Sequence, residues 1–513
     1  MAKKKYDVII VGAGHNSLAC GGRLSKVGGV KNILVLEKHP SILGGCSRTD
    51  PNIFPGYKVD TGAQALYGAA RGCVKALGLE EFGCEPIELV PNFYWLLGEG
   101  KEGKEIPVYP DINLTIKEIE KYSKEEAANY RRLFDDSLPF VANVLSLQGK
   151  PDVTSTQLMQ VLETVGKDAM YMYLSRASEI LRSYFSTDWM IGGIARLILA
   201  SNLDPRWPTS GWMVPGSFSF THLAPFWRAK GGMGNFVGAM AKLIEHHGGE
   251  VRLNAGVKKI IIENGQAKGV RLESGEEIEG DIIVSGTHFK LSYFDLVGKE
   301  HLDPKFVTYL ERQVEGYSGL GVFLTLDQEP EFGGKGCAMT AGGLRDIEDT
   351  FEAFSRNVLP PHPSLWLNNP CIVDPTLAPP GKYWVSFFAI VPCTLAGTTW
   401  AKEKEPYAEK VLDAASRRIP NLKRHIINRY IQNPVDIERD MNVPGASVMG
   451  PVMTLDQMWS MRPPIRSPIK NLYMTGTGVH PGGGVSGTPG FNTARVILAD
   501  LEKKKGPEKK KGR

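Results

Sequence analysis

Two short, unbroken apolar runs stand near the start of the chain, Val8–Val11 and Ile33–Leu36. Both are rich in β-branched side chains, and neither alternates with polar residues. That pattern predicts parallel strands buried on both faces. Between them Leu18, Cys20 and Leu24 lie among small residues, which predicts a closely packed helix. Further on, Met233, Phe236, Val237, Met240, Leu243 and Ile244 recur at helical spacing, and Gly248-Gly249 closes that helix. Four short strand patterns follow at 251–254, 257–265, 267–275 and 276–286, with Asn264-Gly265 and Ser274-Gly275 as tight turns. Asp281–Val284 returns the chain to the first sheet. Residues 71 to about 225 read as mostly helical, with polar linkers near 98–106 and 148–156 and a helical alternation from Tyr122 to Leu147. The runs at 319–327 and 382–391 predict antiparallel neighbours, and Leu472–Met474 a last buried strand.

The turn after the first strand carries chemistry. Gly12 and Gly14 allow a sharp bend and close approach of a ligand, with His15, Asn16 and Ser17 opening the helix. Ser17 stands where a third glycine is usual, and is still small enough for close helix–strand packing. Glu37, followed by Lys38, ends the second strand. Strand, glycine turn, helix, strand and acid in this order form a dinucleotide signature. A pyrophosphate rests on the helix N-terminus and the acid holds ribose hydroxyls. Gly44-Gly45, then Ser47 and Arg48, form a second turn just beyond the acid.

At the other end, residues 471–501 read NLYMTGTGVHPGGGVSGTPGFNTARVILADL. Gly476, Gly478, Gly483 and Gly484, with Val485, are expected to keep backbone bare where a planar ligand passes. Ser486 or Thr488 can cap the helix that follows, and Pro489 suits its first turn. A helix N-terminus directed at the ligand stabilises negative charge there.

In these motifs the chain resembles the phytoene dehydrogenase (CrtI)-related FAD-dependent oxidoreductases over about residues 6–500. Flavoproteins of the glutathione-reductase and amine-oxidase type have a similar double-glycine turn after the ribose acid, which favours FAD over NAD. Asp60, Gly62 and Ala63 resemble the segment that returns beside the flavin, Val257 matches the residue that meets adenine, and residues 374–382 (DPTLAPPGK) resemble a connector of phytoene-dehydrogenase relatives. The resemblance implies an α/β fold: a Rossmann-like FAD-binding domain interleaved with an α+β substrate domain. The expected division is 1–70, 226–295 and 440–502 for the FAD-binding domain, 71–225 and 296–439 for the substrate domain, and 503–513 as a basic tail. It also implies noncovalent FAD and hydride transfer to or from flavin N5 at a carbon–carbon bond of a hydrophobic molecule. His480 is the expected titrating catalytic group, because imidazole works near neutral pH.

Composition narrows the partners. The chain has 513 residues, too many for one ordinary core, and a hydrophobic share of 42%. No apolar stretch approaches the roughly 20 residues that span a bilayer. Seven cysteines form no CxxC pair, so neither a metal site nor a redox dithiol is expected, and reduced thiols fit a cytoplasmic setting. The net charge of +4 is unevenly placed: Lys3–Lys5 and residues 503–513 are strongly basic, leaving the body at about −5. Basic ends on an acidic body suit peripheral contact with anionic membrane or solubilising tails, and exclude a nucleic-acid stripe. Trp189, Trp207, Trp212 and Trp227 crowd one stretch with Phe218, Phe220 and Phe226, suited to an apolar channel, a membrane face or core packing. Two other functions share the architecture. A flavin amine oxidase would need an aromatic cage, for which Trp384 and Trp459 are conceivable walls. A GDP-dissociation-inhibitor-like binder of lipidated partners would need no turnover. Substrate, direction, electron acceptor and oligomeric state stay open.

Overall fold

The computed structural model describes residues 5–66, 68–98 and 103–504. Lys3, Lys4 and the tail beyond Lys504, on which the expected membrane contact largely rests, lie outside the described residues. Two seven-stranded sheets organise the rest. In the first, β1 (Lys5–Val11) is followed by α1 (His15–Lys26) and β2 (Ile33–Leu36), the βαβ unit that the two apolar runs predict. Strand Glu277–Ser285 runs parallel to β1 on the side away from β2, with Ile9 opposite Ile283. Leu472–Met474 lies parallel beyond it, and Glu250–Arg252 parallel beyond β2. The hairpin Val257–Glu263 and Gln266–Leu272 pairs with the first half of Glu277–Ser285.

This sheet is solid. Ile9, Ile10, Ile33, Leu34, Val35, Ile283 and Val284 are fully buried, as expected of strands covered on both faces. Helix Gly234–His246 covers one side, packing so closely that a Cβ at Gly21 would stand 2.8 Å from Ile244 Cδ1. The last helix, Thr488–Lys504, crosses the start of α1, and a Cβ at Gly490 would stand 2.0 Å from the Asn16 carbonyl oxygen. Two helix N-termini therefore converge beside the ends of the parallel strands.

The second sheet joins distant segments. Ser318–Leu326 and Tyr383–Val391 are antiparallel neighbours, as their apolar patterns predict. The stretch from 71 to 225 is helical from Ile112 onward but departs from expectation before it. Phe93–Leu97 and Lys104–Val108 are strands of this sheet, the former parallel to Cys337–Ala341. A five-residue apolar run is equally compatible with strand or buried helix, and its partner lies far away in sequence. The aromatic stretch resolves mostly into packing: Trp227 is buried edge-on to Phe236, and Trp212 Nε1 donates to the Met453 carbonyl. Trp207 packs against Phe351 at an exposed groove.

Between the sheets lies a buried ion pair absent from the sequence reading. Arg228 Nη2 meets Asp60 Oδ2 at 2.6 Å, while Asp60 Oδ1 accepts from Thr49 Oγ1 and the Met233 amide. Burial raises the Asp60 carboxyl pKa, and Arg228 opposes that rise. Among the described residues, no helix is long and apolar enough to cross a membrane.

Candidate functional site

The carboxyl ends of the parallel strands open on one cleft of about 620 Å³. Such ends are where open α/β sheets bind ligands, since loops leaving adjacent strands diverge there. Val11, Leu36, Gly286 and Gly476, each at or just past a strand end, all line it. The cleft gathers most of the expected cofactor residues: Gly12, Gly14, His15, Asn16, Ser17, Glu37, Lys38, Gly44, Gly45, Arg48, Val257 and Gly476.

The geometry at the first turn is that of an anion cradle. Gly14 is the N-cap of α1, no side chain caps the helix, and its first turn carries no acid. Its free backbone N–H groups and positive dipole end suit a phosphate. No atom lies within 4 Å of where a Gly14 Cβ would stand. Around it, His15 Nε2, Asn16 Oδ1, Ser17 Oγ and Arg48 Nε are buried with no hydrogen-bond partner among the described residues. Buried polar atoms are costly unless paired, so a cluster of them fits a polar ligand. Burial pushes the His15 imidazole down to about 4, leaving it neutral near pH 7.

Glu37 is fixed in place. Its Oε2 accepts from the Ala13 amide and its Oε1 from the His39 amide, both at 2.8 Å. A carboxylate has lone pairs beyond these two, so the remaining capacity is available to sugar hydroxyls. Lys38 pairs with Glu273 at 3.0 Å beside Val257. Gly44 is held by its amide donating to the Ala13 carbonyl, and at φ 109 a side chain there would meet the Ser47 carbonyl oxygen. Arg48 binds Asp50 and donates to the Asp440 carbonyl, bringing residues 439–443 to the cleft wall.

Several expected site residues do not line the cleft. Ser47 is buried behind it, while Gly62 and Ala63 brace its second turn. A Cβ at Gly62 would strike the Cys46 carbonyl oxygen, and the Ala63 amide donates to that oxygen at 2.8 Å. In the closing loop, Gly478 is bare because Phe289 lies against it, and Gly483 because the Met449 carbonyl does. Protein, rather than ligand, imposes those glycines. Gly484 faces open space, while Val485 packs into the core. Ser486 Oγ accepts from the Thr488 amide, as a cap should.

His480 is not placed to serve as the expected acid–base group. It is buried outside the cleft lining, its ring is stacked on Trp459 at 5.1 Å, and its Nε2 lies 3.4 Å from the Leu147 carbonyl. Desolvation pushes its imidazole down to about 4.

The cleft also contains residues that the sequence reading missed. Gly286, Thr287 and His288 leave strand Glu277–Ser285, and His288 Nε2 approaches Glu315 Oε1 at 3.1 Å, with Lys290 Nζ 3.6 Å from the same oxygen. The return of Asp281–Val284 to the parallel sheet was the available signal, because the next loop then falls at the ligand edge. Nothing local marked residues 439–448. Buried Arg462 stabilises the far wall by donating to the Thr477 and Pro451 carbonyls.

A parallel sheet with this turn, and a carboxylate after its second strand at the mouth of the cleft, define a dinucleotide-binding site of the kind flavin-dependent oxidoreductases use. A family model for flavin containing amine oxidoreductases matches residues 18–497, and the chain belongs to that family. It is 28% identical to mouse pyridine nucleotide-disulfide oxidoreductase domain-containing protein 2, over 98% of this chain and 94% of that protein. It is 26% identical to the lycopene-forming phytoene desaturase of Pseudescherichia vulneris, over 96% of this chain and 99% of the relative. A solved variant of putrescine oxidase shares the fold at a TM-score of 0.61 and 14% identity, covering 98% of this chain and 99% of its own. The protein is thus a flavoprotein of that family, similar at low identity to phytoene desaturases, and its cofactor is FAD.

Proposed function

We propose that the protein dehydrogenates, or in reverse saturates, a carbon–carbon bond of a hydrophobic, isoprenoid-like substrate, with its FAD held noncovalently. The observation that carries this reading is the wall of the cleft. Ile42, Leu43, Leu291, Leu296, Met441 and Val443 line it, and its described lining holds no tryptophan, tyrosine or phenylalanine. Bound FAD supplies a hydride acceptor and donor. The chain's part is to anchor phosphate at the α1 N-terminus, hold ribose on Glu37 and flank them with aliphatic side chains. The end-to-end match to a phytoene desaturase supports the same substrate class.

The amine-oxidase reading draws less support. Trp384 is fully buried beside Phe323 and Leu377, and Trp459 is stacked on His480. The two cannot form walls of one cage at this cleft, because neither lines it. The open cradle at Gly14 supports a working cofactor site over a non-catalytic binder. Peripheral contact with anionic membrane, through the basic ends, completes the proposal. Anaerobic flavin bleaching against carotenoids, retinoids, enones and amines tests it. Bleaching by polyenes or saturated counterparts, or reoxidation of pre-reduced flavin by polyenes or enones, is expected, whereas bleaching by amines alone would overturn it.

A further inference from the structure

We propose that the helix Ser155–Val165 is a lid over the route by which an apolar molecule reaches the closing glycine loop, with the Trp459–His480 stack as its plug. This rests on the hydrophobic-substrate reading above. The helix begins at a capping box between Thr154 and Gln157, yet only Leu158 and Leu162 along its length are fully buried. Those leucines lie one turn apart and form a narrow anchoring stripe. On one side of the stripe an exposed groove of about 490 Å³ runs past Leu147, Val153, Val161 and Val165. On the other, a groove of about 570 Å³ is lined by Met159, Trp207, Leu455 and Met461. A helix flanked on both sides by apolar grooves is weakly held.

Its C-terminal end is built to move. Gly166 follows the helix at φ 123, ψ 176, a conformation open to glycine, and no atom lies within 4 Å of where its Cβ would stand. At the other end, Ser155 is tied to the 454–461 segment through Ser460 Oγ, 3.3 Å from the Ser155 amide and 3.5 Å from its hydroxyl. Ser460 is the neighbour of Trp459, a non-glycine residue held at φ 55. Such a conformation persists only where surroundings enforce it. Here they are the stack on His480 and a 2.9 Å hydrogen bond from Trp459 Nε1 to Tyr173 Oη.

A continuous path of contacts therefore runs from the lid to the cofactor cradle: Ser155 to Ser460, Trp459 to His480, then along the glycine loop to the last helix, whose Gly490 packs against the Asn16 carbonyl. Opening the helix pulls on Ser460 and releases Trp459 from its constrained backbone. Leu147 lines the first groove and its carbonyl meets His480, so release of the stack opens that groove toward the glycine loop. A neutral, buried His480 belongs in such a plug, since a charged one would repel an apolar guest.

Hydrogen exchange on the holoenzyme tests the lid without reference to any substrate. Amides of 158–165 should exchange at least about tenfold faster than those of the well-buried helix Asp188–Ala200, as expected of a separately opening unit. Equal protection would overturn the lid. The second arm uses all-trans-retinol, whose fluorescence reports binding without turnover, and the double variant S155C/S460C. Oxidising the variant should slow retinol association about tenfold or more, with recovery on adding dithiothreitol and no change in FAD content. Unchanged association in the oxidised form would remove the helix from the entry route. Fast exchange of 158–165 together with indifference to every polyene, enone and saturated counterpart would sustain the lid and defeat the substrate reading instead.

Discussion

Replacing Gly14 with alanine separates a ligand cradle from a packing constraint. Gly14 sits at φ −67, a value alanine adopts freely, and a Cβ there meets no atom within 4 Å. The apoprotein should therefore keep its stability to within about 0.5–1 kcal/mol, since relief of unfolded-state entropy offsets a poorer N-cap. The new methyl instead enters space over the helix N-terminus, where phosphate oxygens meet backbone amides. Displacing one charge-assisted hydrogen bond costs roughly 1.5–3 kcal/mol, so FAD affinity should fall about 10- to 150-fold. Gly44→Ala is the contrast. At φ 109, with the Ser47 carbonyl oxygen 2.1 Å from the added Cβ, it should destabilise the apoprotein itself. Flavin-fluorescence titration of apoprotein and thermal melts of the same samples measure both quantities. FAD binding by Gly14→Ala within about threefold of the parent would refute the placement of the phosphate site. An apoprotein destabilised as much as Gly44→Ala would show Gly14 to be a packing glycine.

Acid should weaken the fold through histidines held neutral. His15, His222 and His480 are each pushed down to about 4 by burial, so the unfolded chain binds more protons between there and pH 6.5. Stability should fall as pH drops through that window and level off below it, by at most roughly 3 kcal/mol per histidine. Urea denaturation across pH should show a shallower slope for His480→Gln, and turnover of the parent should show no titration assignable to His480 near neutral pH. Arg228→Met should cost about 3–5 kcal/mol in the same assay by stranding the Asp60 carboxylate, and adding Asp60→Leu should recover part of the loss. Deleting residues 505–513 should reduce flotation with anionic liposomes and leave neutral ones unaffected; equal binding to both vesicle types in the full chain would remove the electrostatic proposal.

How much was legible in the sequence follows from how local each feature is. The βαβ unit, Glu37, the Gly44-Gly45 turn and the final strand and helix depend on residues a few positions apart, so spacing and apolar runs reveal them. Phe93–Leu97 was hidden because its strand character comes from Cys337–Ala341. The Asp60–Arg228 pair spans 168 positions, and residues 439–448 reach the cleft through an Arg48 contact that spans 392. The glycine loop was misjudged in cause rather than in place. Gly478 and Gly483 are bare because Phe289 and Met449 press against them, and only the packed structure shows that. His480 carries a catalytic residue type in a fitting motif, but its burial against Trp459 is a tertiary fact.

The most direct test of the account is a single-turnover experiment under anaerobic conditions, with mass analysis of the organic product. Oxidised holoenzyme should be bleached by a substrate that loses two hydrogens at a carbon–carbon bond, or dithionite-reduced holoenzyme should be reoxidised by an unsaturated substrate that gains them, in proportion to the FAD present. Recovery of every such compound unchanged, while an amine is converted to its imine or aldehyde as the flavin bleaches, would contradict it.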